Sequence, residues 1–297
     1  MPGLVIALSL LVSAPTPSAR REAIIIMNEG VDFASQGDNA KAKAKLQAAT
    51  KADPTYAYAW LNLGIVLERD GDGAGAKAAF EAGLPHARDE AVTELQFRVA
   101  KATYETAVES TGSHAQQRQA VEQALELLGK VTKATPERSD AHLYRAFCHE
   151  HLDQPTEADA EYRAAIEADS GNVDAFVRLA NLYIDYGHAN AGIAVLDAAT
   201  KTHATNVEAW SGLGRAYLAL DKPQEAVDAL KKAITIDPEH LRNQFALGMA
   251  YADLRDRKLA VERLEEFLRL ADLADDEVPE SMKIGANQTI ARMRDVL

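Results

Sequence analysis

The sequence is poor in cysteine and in aromatic residues. Its single cysteine, Cys148, excludes a disulfide within the chain and a metal site built from thiolates. Aromatic residues make up only 6% of the 297 residues, and Gly (17) and Pro (10) are modest. The chain is nevertheless 47% hydrophobic, with abundant alanine. Such a composition can bury a large core and favours helices that pack at close range.

Positive charge is also in short supply. Lys and Arg number 32 against 45 Asp and Glu, which gives a formal net charge of −13. A surface of this sign repels nucleic-acid backbones and anionic membranes, so we expect neither as a general partner. The same charge also keeps a chain soluble, and this role would explain the charge without any binding partner.

The apolar run near the N-terminus, Leu4 to Val12, is too short to span a bilayer. It fits the apolar region of a signal peptide, although no Lys or Arg precedes it and Pro15 directly follows a potential cut at Ala14. We expect residues 1–20 to be a signal peptide or a disordered N-terminus. The expected location is periplasmic or extracellular, with a cytoplasmic location as the alternative and no stable membrane span.

An internal period of 34 residues organises the rest of the chain. Four copies start at residues 139, 173, 207 and 241, and two earlier copies occupy 23–56 and 57–90. Between the two groups, 91–138 has 48 residues, which is 14 more than one copy. We number these segments repeats 1 to 7, with 91–138 as repeat 3.

Each repeat has a fixed order of large and small residues. The fourth and eleventh positions hold large residues, and the eighth holds Gly or Ala. Because these positions are spaced by four and three, they share one face of a helix and form a notch there. A second helix, with Ala at its contact points, can then cross the first closely. The notch is clearest in the fourth-position residues Trp60, Phe176 and Trp210 and the eighth-position residues Gly30, Gly64, Gly214 and Gly248.

Prolines mark the helix ends in the same frame. Pro155 and Pro223 stand 68 residues apart, where the second helix of a repeat should begin. Pro54 and Pro238 follow second helices, where proline stops a helix.

In period and residue pattern, residues 23–274 resemble the tetratricopeptide repeat family. The resemblance implies an all-α, right-handed superhelical solenoid of about seven helical hairpins with a concave inner groove. Repeats 1 and 2 cover 23–90, and repeats 4 to 7 cover 139–274. Repeat 3, at 91–138, departs from the pattern and predicts longer helices with their joint at Ser110 to His114.

The C-terminal segment 278–297 predicts a helix that caps the open end of the array. It is amphipathic, and its apolar residues Ile284, Ile290, Met293 and Leu297 are available for one face.

No pattern in the sequence assembles a catalytic or metal site. His142 and His149, seven residues apart on one helix face, replace aromatic residues at packing positions. The stretch Asp70 to Lys77 has neither the glycine spacing of a phosphate loop nor the full oxygen set of a calcium loop, since Ala74 and Ala78 stand at ligand positions. We therefore expect no catalytic residue, metal or cofactor, and do not expect an enzyme.

The family resemblance also implies a binding face. In that family the first helix of each repeat lines the groove, and the matching positions here carry side chains suited to an extended peptide or an acidic terminus. The family's carboxylate clamp is not matched, because Val177 stands where its Lys would be. The alternative for the arginines is pairing with Glu208, Asp174 or Asp185. The candidate peptide-binding residues are Asn62, Arg178, Asn181, Arg215, Arg242 and Phe245.

The leading hypothesis is a non-catalytic scaffold that binds a peptide or partner protein in the concave groove. The alternative is a structural accessory subunit of a cell-envelope enzyme or secretion complex, acting through its convex face or its ends. The sequence predicts no oligomeric state.

Overall fold

The structure is a computed structural model that describes residues 16–274 and 278–294. Over these residues it contains fifteen α-helices, one short 3-10 helix and no strand. The apolar run Leu4–Val12 and Leu297 lie outside the described residues. The helices are α1 (Pro17–Ser35), α2 (Asn39–Ala52), α3 (Ala57–Arg69), α4 (Gly73–Gly83), the 3-10 helix (Leu84–His86), α5 (Glu90–Glu109), α6 (His114–Ala134), α7 (Ser139–His151), α8 (Pro155–Ala168), α9 (Val173–Asp185), α10 (Ala189–Thr202), α11 (Val207–Ala219), α12 (Pro223–Ile236), α13 (Leu241–Asp253), α14 (Arg257–Leu273) and α15 (Glu280–Arg294).

The expected all-α fold of paired helices is confirmed. The second helices of repeats 4 and 6 begin at Pro155 and Pro223, as the proline spacing predicted. In repeat 3, α5 and α6 have 20 and 21 residues and are joined by 110–113, with Ser113 and Gln116 forming a capping box at the start of α6. None of the described helices is both long and apolar enough to cross a membrane.

The chain divides into two compact units. Of the described residues, the first unit holds those up to Pro136 together with Phe147–Asp153, and the second holds Glu137–Ala146 and those from Gln154 onward. In the first unit, α1 packs on α2 and α3, α3 on α4, and α4 on α5. Its core is built around side chains that are almost fully buried, such as Leu46, Phe80 and Leu95.

The second unit repeats this arrangement from α8 to α14 and ends with α15. Helix α15 packs on α13 and α14, where Ala286 and Ile290 join Phe267 in one apolar cluster. The predicted capping helix is therefore present. Ile290 and Met293 are buried as expected, but the expected face was wrong at Ile284, which is exposed, and Met282 packs in the apolar cluster instead. The inward residues follow spacings of three and four, which Ile284 does not share.

The eighth-position notch is filled by one residue of the second helix. This is the twenty-fourth residue of the repeat, and it lies directly over the eighth. A Cβ on Gly64 would fall 2.3 Å from Phe80, and one on Gly214 would fall 2.5 Å from Leu230. The six twenty-fourth-position side chains are all essentially buried: Leu46, Phe80, Tyr162, Leu196, Leu230 and Leu264.

Two further regularities fix the joints. The fourth-position side chain donates a hydrogen bond of 2.8 Å to the carbonyl six residues earlier, from Trp60 to Pro54 and from Trp210 to Ala204. Gln244 forms the same bond to Pro238 in repeat 7. In the six 34-residue repeats, the fifteenth position lies between the two helices and has a positive φ of 55° to 80°, at Gly37, Gly71, Asp153, Gly187, Asp221 and Arg255.

The residues considered above as metal or catalytic candidates have structural contacts within these repeats. Cys148 and His149 are buried, and the His142 ring lies 2.7 Å from a Glu161 carboxylate oxygen. In the stretch that resembles a calcium loop, Asp72 caps α4 by accepting a hydrogen bond from the Gly75 amide at 2.8 Å.

Candidate functional site

In repeats 6 and 7 the first helices are α11 and α13. Asn206 caps α11 by accepting a hydrogen bond from the Ala209 amide, and His240 caps α13 in the same way through the Asn243 amide. The third, seventh and eighth positions of both helices are buried in the repeat core. The second and ninth positions of both helices remain exposed or half-buried, and so do the twelfth position of α11 and the fifth of α13. We call the surface formed by these six residues the first-helix face: Glu208, Arg215, Leu218, Arg242, Phe245 and Met249.

A pocket of about 340 Å³ opens on the first-helix face of α11 and α13. It contains three of the candidate peptide-binding residues, Arg215, Arg242 and Phe245, so the structure brings these three together. The rest of its lining is mainly apolar. We call it the arginine pocket, and its principal lining residues are Arg215, Leu218, Arg242, Phe245, Met249 and Met282.

The two arginines of the pocket have no carboxylate partner within residues 16–274 and 278–294. Arg215 and Arg242 are exposed, and neither takes part in an ion pair with the residues that the structure describes. Glu208, one carboxylate proposed to neutralise them, instead lies 3.5 Å from His240. For these two arginines, no ion pair among the described residues supports the alternative of pairing with Glu208, Asp174 or Asp185.

Arg178 and Asn181 lie elsewhere. Both are on α9, and neither lines the arginine pocket. Arg178 forms an ion pair with Asp174 one helical turn earlier, at 3.4 Å and with both side chains about half exposed. Such a pair contributes little to stability. The structure therefore shows the alternative expected for Arg178, which is an ion pair with Asp174.

Asn62 belongs to the first compact unit. Its side-chain amide donates to the Tyr58 carbonyl at 2.7 Å and lies 3.7 Å from the Met27 sulfur. The amide donor is therefore already used within the protein. Leu61, its neighbour at the fifth position of repeat 2, is buried in the core of that unit.

The contribution of α15 to the pocket could not be predicted from the repeat pattern. Met282 lines the pocket and also joins the apolar cluster that contains Phe245 and Met249. The Phe245 ring packs against Phe267 at 5.2 Å between centroids, which holds it at the pocket wall. The amphipathic pattern of the last helix predicts that this helix packs on the array, but it does not predict which residues it contacts.

A larger cavity, of about 700 Å³, lies in the first compact unit between the α3–α4 joint and α5. Three of its lining residues are acidic, Glu68, Glu105 and Glu109. Glu68 is already bound by Arg98 and Lys101. Size alone does not make this cavity the better site, because Glu68, one of its three carboxylates, is already paired with two basic side chains.

Metal-binding geometry is not found in the described ranges. No group of three or more His, Cys, Asp or Glu side chains within 16–274 and 278–294 comes close enough together to hold an ion.

Family comparisons agree with the observed repeats. Profiles described as tetratricopeptide repeat match residues 27–91 and 111–173, residues 153–216 and residues 207–240. The chain belongs to the tetratricopeptide repeat family. Proteins of this family commonly mediate protein–protein interactions and are generally non-catalytic scaffolds. A search of curated proteins found no match to the chain.

Solved structures support the fold. A tetratricopeptide repeat protein from Parabacteroides merdae is 17% identical, with a TM-score of 0.67 over 91% of this chain and 99% of that one. PilF of Pseudomonas aeruginosa is 15% identical, with a TM-score of 0.57 over 76% of this chain and 97% of that one. At these identities the likeness concerns the fold alone.

Proposed function

We propose that this protein is a non-catalytic scaffold that binds a peptide segment of a partner protein on the first-helix face of α11 and α13. The observation that carries the proposal is the arginine pocket. It combines an apolar lining with two guanidinium groups that have no carboxylate partner among the described residues. Arginine forks bind carboxylates with defined geometry, and an apolar pocket beside them supplies affinity.

Affinity capture of the full-length protein followed by mass spectrometry tests this proposal. The test variant carries Arg215→Glu and Arg242→Glu. The matched control carries Lys232→Glu and Arg269→Glu, which change the charge equally at exposed positions on the second helices α12 and α14. We expect the test variant to lose partners that the wild type and the control both recover.

Two results would count against this proposal. In one, the wild-type protein recovers no protein partner. In the other, the test variant recovers the same partners as the control.

A second function is favoured by the exposed face of α1. Ile24, Ile25 and Val31 are exposed there, and Ile25 is 60% exposed. As an accessory subunit of a cell-envelope enzyme or secretion complex, the protein would use this end of the array to set the geometry of an assembly. Capture that is lost with Ile25→Glu, but kept with the Arg215→Glu and Arg242→Glu variant, would favour this function.

We also propose that the protein is exported. Helix α1 begins at Pro17 and is capped by Thr16, so a cut after Ala14 would leave the described fold whole. Sequencing the N-terminus of protein purified from the native host tests this proposal. A mature chain that still begins at Met1 would contradict export by signal-peptide cleavage.

A further inference from the structure

The chemistry of the arginine pocket is unusual for this chain. In a protein with a net charge of −13, two exposed arginines lie beside one apolar pocket. Among the described residues, those that line this pocket include no acidic side chain. The charge of the site is therefore opposite to that of the protein as a whole.

Resting on the proposed function, we propose that the arginine pocket selects one kind of partner segment. This is an extended chain in which a large aliphatic or aromatic side chain is flanked by acidic side chains two residues before and two residues after it.

The apolar side chain is required by the pocket lining. Leu218, Phe245, Met249 and Met282 surround a space of about 340 Å³. Methionine side chains are flexible and polarisable, so the lining can adapt to leucine, methionine or phenylalanine. Burying such a side chain contributes most of the affinity that a short segment can have.

Two carboxylates are required because the guanidinium groups are on different helices. Arg215 is near the end of α11, and Arg242 is in the first turn of α13. Each guanidinium group can donate two hydrogen bonds to a carboxylate of its own, whereas a single chain terminus provides only one carboxylate. In an extended chain, residues two apart point to the same side. Acidic residues at that spacing therefore face the protein together with the central apolar side chain.

Peptide titrations by fluorescence anisotropy test the inference. The probe is a fluorescein-labelled nonapeptide with an amidated C-terminus, Gly-Ser-Glu-Ala-Leu-Ala-Glu-Ser-Gly. Three comparison peptides change both Glu to Gln, change Leu to Ala, or move both Glu next to Leu. We expect each to bind the full-length protein at least tenfold more weakly than the probe.

A charge exchange makes the test specific for the two arginines. The Arg215→Glu and Arg242→Glu variant should lose the probe and should bind the same peptide with Lys in place of both Glu. The Lys232→Glu and Arg269→Glu control should keep the preference of the wild type. Equal thermal unfolding midpoints would show that both variants are folded.

The outcomes separate this inference from the proposed function. Equal binding of the Glu and Gln peptides, or preference for a peptide whose only carboxylate is a free C-terminus, overturns the inference. If captured partners still depend on Arg215 and Arg242 in that case, the proposed function stands. If no peptide binds and capture is unaffected by the arginines, both are wrong.

Discussion

At the scale of single residues, a tight contact in several helical hairpins joins a glycine of the first helix to a large side chain of the second. In repeat 6 these are Gly214 and Leu230. The glycine could be predicted from the sequence because its identity recurs. The large side chain that contacts the glycine could not be predicted, because the twenty-fourth position varies among Leu, Phe and Tyr. These residues share their burial but not their identity.

Gly214→Ala should destabilise the protein by about 1–3 kcal/mol, the usual effect of adding volume to a packed core. The new Cβ would fall 2.5 Å from Leu230. Chemical unfolding measures the change. Gly129→Ala is the control, since it lies inside α6 with nothing within 4 Å of the added Cβ. The control should gain up to about 1 kcal/mol from helix propensity, and equal losses in both variants would contradict the close contact.

A single carboxylate also ties α1 to the joint that follows α2. Asp53 is fully buried, and it accepts hydrogen bonds from the Thr55 amide at 2.9 Å and the Thr55 hydroxyl at 2.8 Å, and another from Arg20. Burial raises the pKa of Asp53, but the bonds from Arg20 and Thr55 outweigh it, so the pKa lies below its ordinary value. The carboxylate therefore stabilises the folded state while it is ionised.

Asp53→Asn should lower the free energy of unfolding at pH 7 by about 1–3 kcal/mol, because the bonds to the charge are lost. A lowered folded-state pKa gives stability that is fully present above the unfolded pKa of about 3.9 and lost as the pH falls through the folded value. The difference between wild type and variant should therefore shrink below about pH 4. Urea unfolding at pH 7 and pH 3 measures it, and a constant difference would contradict this role.

At the scale of elements, the turn between the two helices of a repeat depends on one left-handed residue. Glycine occupies this fifteenth position in three repeats, but Asp153, Asp221 and Arg255 adopt the same conformation. Because these residue types share no obvious property, the sequence predicted the joints without predicting this common backbone geometry. The helix starts at Pro155 and Pro223 were predictable, since proline suits the first turn of a helix.

Arg255→Gly should stabilise the protein by up to about 1 kcal/mol. A left-handed conformation costs a residue with a side chain about 1–2 kcal/mol, and the greater freedom of glycine in the unfolded chain offsets part of this. Arg255 has a φ of 61°. Gly187→Ala, at the same position of repeat 5, should have the opposite effect. Thermal unfolding midpoints that move in the same direction for both would contradict the shared strain.

At the scale of the whole molecule, packing within each compact unit joins helices that are next or next but one along the chain, from α1 to α6 and from α8 to α15. Stability in such an array is local, because each repeat interacts mainly with its neighbours. The repeat period allowed this arrangement to be predicted. The arginine pocket was only half predictable, because the period places Arg215, Arg242 and Phe245 on one face but does not include α15 or its Met282.

Gly248→Ala should therefore destabilise the C-terminal helices α13 to α15 and leave the N-terminal helices unaffected. The added Cβ would fall 2.6 Å from Leu264 in α14. We expect faster amide hydrogen exchange in α13, α14 and α15, with unchanged exchange in α1 to α4. Mass spectrometry of exchanged peptides measures this, and a uniform increase along the chain would contradict local stability.

The position of Met282 has a thermodynamic consequence. Because α15 provides part of the pocket lining while packing on α13 and α14, a ligand in the pocket and the docked state of α15 must favour each other by the same free energy. A segment that binds there would slow the opening of α15. Conversely, any factor that undocks α15 would release the segment without touching either arginine.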